Sequence, residues 1–205
     1  MEEFNGFGVQ KKDTNVTEKR NVYVGGSDVP TILGINKYKT PFELAQEKAE
    51  VVKRPFVSNP YIQFGNILEP QIREYINLKN NLDFVVETYI NEEKRIRSNV
   101  DGIEKEHNIL LEIKTHGVKP TLKVYEVQMQ LYMDQIGCEY GWLALYQRPK
   151  SMDTDFDKQH LKIKEIERDE GVIAKIHGEI ERFMRKVSLL KENPHMNQEE
   201  WEEIQ

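Results

Sequence analysis

Two carboxylates and a lysine are spaced so that adjacent strands would bring them together. Asp101 lies in the segment 98–103, and Glu112 and Lys114 lie in the segment 110–115, which follows after a short polar break. Alternate side chains of a strand face the same way, so Glu112 and Lys114 emerge together. The polar run 104–108 can reverse the chain, which places Asp101 beside Glu112 across a hairpin. The spacing therefore predicts one small site containing all three groups.

Such a site suits a hard divalent cation, because Mg²⁺ takes one or two protein carboxylates and keeps water at its other positions. A nearby lysine can orient or help deprotonate one of those waters, or neutralise charge on a phosphate. The tripeptide alone is not specific, since Glu-x-Lys/Glu recurs at Glu92, Glu104, Glu165 and Glu179. Glu112 differs because its neighbours are apolar, and charged residues are rarely buried unless they are paired or bound to metal.

The whole chain reads as an ordinary polar protein. Its 205 residues suit one domain, or one domain with extensions, and its net charge of −6 argues against coating nucleic acid by bulk electrostatics. An enzyme acting on DNA stays possible, because a metal site collects acidic residues. No membrane span or secretory signal is recognisable, so a cytoplasmic protein is expected. The single cysteine and five histidines show no zinc spacing.

The pattern along the chain predicts a polar arm over 1–20, one domain over 21–192 with its core motifs over 61–146, and a peripheral acidic tail over 193–205. Two short helices open the domain, the first at Gly25-Gly-Ser-Asp28 and the second at Thr40-Pro-Phe-Glu43. After a linker over 55–60, the predicted order is a helix (64–79), three strands (83–90, 95–103, 109–115), a helix (120–136), two strands (141–146, 161–167) and a helix (169–191).

Three more residues are candidates for the same site. Glu69 lies beside the apolar stripe of the 64–79 helix and could reach the strand tips, although its position taken alone slightly favours an exposed glutamate on the helix surface just before Pro70. Gln128 and Tyr132 are four residues apart and so share one helix face. The methionines beside them, Met129 and Met133, are expected in the core.

Taken jointly, these segments resemble the PD-(D/E)XK nuclease superfamily, and more closely its YqaJ-like and lambda-exonuclease-like viral recombination nucleases. The C-terminal third carries no matching motif. The segments that carry the resemblance, in the family's order, are Gly25-Gly-Ser-Asp-Val-Pro-Thr-Ile-Leu-Gly34, Tyr38-Lys-Thr-Pro-Phe-Glu43, Phe64-Gly-Asn-Ile-Leu-Glu-Pro70, Val100-Asp-Gly102, Leu111-Glu-Ile-Lys-Thr115 and Gln128-Met-Gln-Leu-Tyr132.

The resemblance implies an α/β (α+β) fold with a restriction-endonuclease-like core, in which a central mixed sheet is flanked by helices and preceded by a helical extension. It implies one or two Mg²⁺ ions, with Mn²⁺ able to substitute. Asp101 and Glu112 would be ligands, with the Ile113 carbonyl as a further oxygen and Glu69 as an additional acidic ligand, direct or through water. Lys114 would orient or activate the attacking water.

The resemblance also assigns supporting roles. Gln128 would be the motif glutamine near the catalytic centre, supported by Tyr132. Arg20 and Ser27 fall where relatives bind a terminal 5′-phosphate, although Lys19 adjoins Arg20 and leaves that assignment open. The chain has Asn99 two places before Asp101, where some relatives carry serine, so one phosphate contact departs from the family pattern.

The implied activity is Mg²⁺-dependent hydrolysis of linear duplex DNA from the 5′ end, leaving 3′ single-stranded tails for phage-type recombination. The implied partners are DNA ends, a single-strand annealing protein and further copies of the chain in a ring-shaped trimer, within the bacterial host cytoplasm if the gene is phage-borne. The alternatives are a restriction-type endonuclease, a RecB-like module, or a non-catalytic module that binds DNA or protein.

Overall fold

The computed structural model describes residues 9–10, 19, 21–53 and 59–204. The strands are β1 (Val9–Gln10), β2 (Val24–Gly25), β3 (Val85–Asn91), β4 (Ile96–Glu104), β5 (Ile109–His116), β6 (Tyr140–Gln147) and β7 (Leu161–Glu167). The helices are α1 (Val29–Ile32), α2 (Pro41–Lys48), α3 (Pro60–Asn80), α4 (Leu122–Ile136), α5 (Glu170–Glu192) and α6 (Gln198–Glu202). The predicted order of elements is therefore confirmed, with an added β1, β2 and α6.

One mixed sheet organises these elements. Its strand order is β1-β3-β4-β5-β6-β7, and β2 pairs with β4 away from this path. The β3-β4-β5 segment is an antiparallel meander, whereas β5 and β6 are parallel and are connected through α4. A parallel pair needs such a crossover, so α4 is held across one face of the sheet directly after the Glu112 strand.

Apolar clusters cover both faces of the sheet. On one side α3 contributes Phe64, Leu68, Ile72 and Ile76, which recur at helical spacing and are almost fully buried. On the other side α4 contributes Met129 and Met133, both fully buried as expected. A third cluster joins α1, α2 and α5. The sheet and the two helices α3 and α4 therefore form a rigid frame around the β4-β5 hairpin.

Helix ends follow the predicted capping signals with one correction. Thr40 Oγ1 accepts from the Glu43 backbone N–H at 3.2 Å, and the Glu43 carboxylate accepts from the Thr40 N–H at 2.7 Å, which forms the expected capping box. The prediction that Pro60 belongs to a linker is wrong, because α3 begins there with Asn59 as its cap. Proline suits the first helical position, where its missing N–H costs nothing. Residues 54–58 of that linker lie outside the described residues.

The C-terminal segment is not peripheral. Trp201 in α6 is 5% exposed, and its ring centroid lies 5.6 Å from that of Phe42 and 6.4 Å from that of Phe183. Although this segment is acidic, α6 begins with a capping box, in which the side chains of Asn197 and Glu200 each accept the other residue's backbone N–H. The expectation of a peripheral tail is therefore wrong at Trp201, because burying an indole outweighs the polarity of its neighbours.

In the described part of the chain, no helix combines the length and the apolar character that crossing a bilayer requires.

Candidate active site

The β4-β5 hairpin forms in the predicted register. Its paired positions run from Glu104 opposite Ile109 to Gly102 opposite Leu111. Beyond that point Asp101 Oδ2 accepts the backbone N–H of Ile113 at 2.7 Å. A side-chain carboxylate thus satisfies a backbone donor where the two strands stop pairing.

A β-bulge directs Asp101 into this opening. Val85 pairs with Ile103 and Glu87 pairs with Val100, so β4 holds one residue more than β3 in the same interval, at Asp101-Gly102. Bulges turn a side chain out of the regular alternation of a strand. Gly102 packs tightly here, since a Cβ would lie 3.0 Å from Phe84 Cβ and 3.2 Å from Leu111 Cβ, and these neighbours would have to shift by a few tenths of an ångström. The Asp-Gly pair therefore combines the candidate site carboxylate with a residue that lets the neighbouring side chains pack closely behind it.

Glu112 is the buried carboxylate of the site. It is 1% exposed, and its Oε1 accepts from Lys114 Nζ at 2.5 Å and from Gln128 Nε2 at 2.6 Å. Its Oε2 is buried and has no hydrogen-bond partner among the described residues. Burial raises the pKa of Glu112, and the positive charge of Lys114 opposes this shift. The expected pairing of Glu112 with Lys114 on one face of β5 is confirmed.

Lys114 is held as an ammonium by its neighbours. Burial alone would lower its pKa, but the carboxylates of Glu112 and Asp101 outweigh burial and raise the pKa of Lys114. Its Nζ also lies 6.0 Å from the Tyr125 ring centroid. The lysine therefore supplies a fixed positive charge beside both acids.

Helix α4 supports this group through Gln128 and Tyr132, which share one face as predicted. Gln128 Nε2 donates to Tyr132 Oη at 3.1 Å as well as to Glu112. A Cβ on Gly26 would lie 2.4 Å from Tyr132 Cε1, so the glycine-rich turn packs directly on the tyrosine ring. Gly26 thus keeps Tyr132, and through it Gln128, against Glu112. Sequence reasoning missed this contact, which joins segments more than one hundred residues apart.

The rest of the glycine-rich turn is structural as well. Asp28 Oδ2 accepts from the Gly25 N–H at 3.0 Å and from Lys48 Nζ at 2.7 Å, and both charged side chains are buried. This ion pair ties the turn to α2. Ser27, which lies within the same turn, is exposed. Arg20 lies outside the described residues. The predicted pairing of Arg20 with Ser27 at a 5′-phosphate therefore stays a prediction.

Glu69 reaches the strand tips from α3, as predicted. Arg73 Nη1 donates to Glu69 Oε1 at 3.1 Å and to the Asp101 backbone carbonyl at 2.8 Å, so it links the helix to β4. The i,i+4 spacing of Glu69 and Arg73 was visible in the sequence, but the contact with Asp101 was not. Glu69, Asp101, Ile113 and Lys114 line one cleft of about 320 Å³.

Three carboxylates lie close together in this region, and without a bound cation the repulsion between their negative charges is unfavourable. Burial, and next the charge of Glu112, raise the pKa of Asp101 well above its usual range, with Glu69 adding to the shift. The donors are hard oxygens, and the buried Glu112 Oε2 faces no partner in the part of the chain that the structure describes. This combination fits a Mg²⁺ or Mn²⁺ ion, because such ions prefer carboxylate and carbonyl oxygens.

A second acidic cluster lies in the hairpin turn and has a structural explanation. Glu104, Glu106 and His107 bring potential ligand atoms close together. The Glu104 carboxylate, however, already accepts the backbone N–H groups of Glu106 at 3.1 Å and His107 at 2.7 Å. These bonds close the turn that reverses the chain between β4 and β5.

The fold is that of the lambda-exonuclease-like nucleases. The crystal structure of an alkaline exonuclease, LHK-Exo, from Laribacter hongkongensis matches with a TM-score of 0.66 at 22% identity, over 85% of this chain and 92% of that one. A phage related exonuclease from Haemophilus somnus 129PT matches with a TM-score of 0.67 at 20% identity, over 83% of this chain and 96% of that one. At these identities the likeness establishes the fold.

The sequence comparison goes further. The family profile described as YqaJ-like viral recombinase domain matches residues 17–142, and the chain belongs to that family. The uncharacterized protein YqaJ of Bacillus subtilis (strain 168) is 31% identical over 182 residues, which make up 82% of this chain and 54% of that protein. The chain thus spans about half the length of this relative. The resemblance predicted from the motifs is confirmed.

Proposed function

We propose that this protein is a metal-dependent deoxyribonuclease that degrades one strand of linear duplex DNA from its 5′ end. The observation that carries the proposal is the buried, unpartnered Oε2 of Glu112 beside Asp101 and Lys114 at the point where β4 and β5 separate. Family membership supports a role in viral recombination, and both fold relatives named above are exonucleases. A further LHK-Exo structure is a complex with dAMP, which supports a DNA strand as the substrate.

Asp101, Glu112, Glu69 and the Ile113 carbonyl are the groups that would hold Mg²⁺, as one or two ions, with Mn²⁺ as a substitute. When bound, the ion lowers the pKa of water and neutralises charge on the phosphate. The chain's own residues do the rest. Lys114 keeps a positive charge beside the cleft, where it orients the attacking water and stabilises the developing negative charge.

Two supporting residues keep the carboxylates in place. Gln128 donates to Oε1 of Glu112, and Oε2 has no hydrogen-bond partner among the described residues. Arg73 connects Glu69 to the Asp101 backbone, so the acidic group from α3 stays beside the bulge of β4. Neither residue recognises a base, which favours progressive degradation over cutting at a defined sequence.

The end specificity and the biological setting belong to the same proposal. Arg20 and Ser27 would bind the terminal 5′-phosphate, and the product would be a 3′ single-stranded tail for recombination. A single-strand annealing protein would receive that tail, and the nuclease would act as a ring-shaped homotrimer in the bacterial cytoplasm.

Digestion of end-labelled linear duplex DNA in the presence of Mg²⁺ tests the activity, its polarity and its end preference together. We expect nucleotides to be released from the 5′-phosphorylated strand, while covalently closed circular DNA resists. Efficient cutting of the closed circle would instead identify a restriction-type endonuclease. Absence of cleavage by folded protein with either Mg²⁺ or Mn²⁺ would identify a non-catalytic binding module.

Two variants test the assigned residues. Lys114→Ala should abolish cleavage and leave folding intact, whereas Lys175→Ala, which removes an exposed lysine of α5, should cleave at the wild-type rate. Arg20→Ala should reduce the preference for 5′-phosphorylated over 5′-hydroxyl ends. Equal wild-type rates on the two kinds of end would remove Arg20 and Ser27 from the site.

A further inference from the structure

A second cation lies in the catalytic cleft and has no role in the hydrolytic site described above. Arg148 follows β6, and its backbone N–H donates to the His116 carbonyl at 2.8 Å, which extends the parallel β5-β6 ladder by one bond. The residue therefore lies at the carboxyl end of the strand that carries Glu112 and Lys114. Its side chain lines the same cleft as Glu69, Asp101 and Lys114.

The Arg148 side chain is held in one orientation by neutral groups. Nη1 donates to the Thr115 carbonyl at 3.0 Å and approaches Thr115 Oγ1 at 3.4 Å. The guanidinium carbon lies 4.5 Å from the centroid of the Tyr61 ring, which is the distance of a cation-π stack. Tyr61 itself is 55% exposed, so the stack stands at the mouth of the cleft.

The charges of the cleft show what Arg148 is suited to bind. Lys114 forms an ion pair with Glu112, and Arg73 donates hydrogen bonds to Glu69 and to the Asp101 carbonyl. Within residues 21–53 and 59–204, Arg148 makes no ion pair with a carboxylate. A guanidinium has five N–H donors in a planar fork. Because Nη1 donates to Thr115, the Nε–Nη2 edge is the part of the fork that has no partner in the described part of the chain.

We infer that Arg148 binds a backbone phosphate of the DNA strand next to the one that is cleaved, with Tyr61 and Thr115 as the residues that position its guanidinium. The inference rests on the proposed nuclease function and adds a substrate contact to it. A phosphate is favoured over a base because phosphate oxygens match the fork geometrically, and a contact with the backbone serves an enzyme that must accept every sequence.

Salt-dependent DNA binding tests this contact without relying on cleavage. Binding of a short fluorescein-labelled, 5′-phosphorylated duplex is measured by anisotropy with Ca²⁺ in place of Mg²⁺, across a series of NaCl concentrations. Loss of one phosphate contact should make the slope of log K against log[salt] shallower by about 0.7 to 0.9. Arg148→Met should show this change, together with a Kd raised roughly tenfold at low salt.

The matched control is Arg185→Met, which makes the same chemical change at an exposed residue of α5 that does not line the cleft. It should keep the wild-type slope. Arg148→Lys keeps the charge but not the planar fork, so its slope should stay close to wild type while its Kd rises. In Mg²⁺-dependent digestion, Arg148→Met should raise KM about tenfold and change kcat by less than about threefold, because the contact is made before and during the reaction alike.

A double-mutant comparison separates positioning from direct contact by Tyr61. Tyr61→Ala should weaken binding, Tyr61→Phe should not, and Tyr61→Ala should add nothing in the Arg148→Met background. Equal slopes for Arg148→Met and Arg185→Met, with normal wild-type binding, would overturn the Arg148 inference and leave the nuclease proposal intact. Wild-type protein that does not bind the duplex at all would overturn both.

Discussion

Replacing Gly26 by alanine should damage both the fold and the site, because the new Cβ would enter the Tyr132 ring. The Cβ would lie 2.4 Å from Cε1 and 2.5 Å from Cζ, about 1 Å inside an ordinary carbon contact of roughly 3.5 Å. Tyr132 is buried in the α4 cluster and cannot move away freely. Overpacking of this kind costs about 1 to 3 kcal/mol, which lowers Tm by roughly 2 to 4 °C per kcal/mol for a chain of this size.

The same displacement reaches the carboxylate. Tyr132 Oη accepts from Gln128, and Gln128 donates to Glu112 at 2.6 Å, so a moved ring disturbs the group that orients the acid. A misplacement of about 1 Å can cost roughly a hundredfold in rate, so Gly26→Ala should lose about tenfold to a hundredfold in nuclease activity. Thermal unfolding and end-labelled digestion measure the two effects separately.

Gly25→Ala is the matched control. Its Cβ would have no neighbour closer than 3.7 Å and the backbone there is extended, so stability should be unchanged or slightly higher. Tyr132→Leu in the Gly26→Ala background removes the ring, and the double variant should therefore be less destabilised than the sum of the single changes. Equal Tm and activity for Gly26→Ala and Gly25→Ala would refute the packing argument.

Three further predictions concern the metal, pH and the C-terminal helix. Mg²⁺ at one hundred times its Kd should stabilise the wild-type fold by about 2.7 kcal/mol, and differential scanning fluorimetry should show no such gain for Glu112→Gln. Asp134 accepts hydrogen bonds from His177 and Arg168. Burial alone would raise the pKa of Asp134, but these two contacts outweigh burial and lower it. The contribution of Asp134 to stability is therefore present above its unfolded pKa and is lost as the pH falls through its folded pKa. Asp134→Asn should thus cost about 1 to 2 kcal/mol in urea unfolding at pH 7 and progressively less below pH 4; a constant difference would contradict this. Trp201→Ala should lower the free energy of unfolding by about 3 to 5 kcal/mol because the indole is buried. An unchanged free energy of unfolding would contradict the conclusion that the C-terminal segment is part of the core.

Much of the β4-β5 hairpin was predictable because its signals are local. The alternation in β5 placed Glu112 and Lys114 on one face, and the polar run before it supplied the reversal that brings Asp101 alongside. The same holds for the helix pair Gln128 and Tyr132, whose spacing puts them on one face regardless of the rest of the fold.

The contacts that hold the site together were not predictable in this way. The bulge at Asp101-Gly102 depends on how β3 pairs with β4, and no single strand contains that information. The i,i+4 spacing of Glu69 and Arg73 is common on helix surfaces and does not by itself indicate a further partner. The hydrogen bond from Arg73 to the Asp101 carbonyl forms because α3 packs against the sheet. The aromatic support of Arg148 by Tyr61 likewise joins segments that are distant along the chain.

The sequence by itself determined which chemical groups are available and the order in which they occur, because strand and helix periodicities are written in neighbouring residues. Tertiary structure decided which groups face one another. It left Glu112 Oε2 buried without a partner in the described residues, and it made Gly26 necessary by seating Tyr132 against it. The physical reason is that burial and close packing are properties of surfaces brought together by folding, and a local pattern specifies one side of each contact at most.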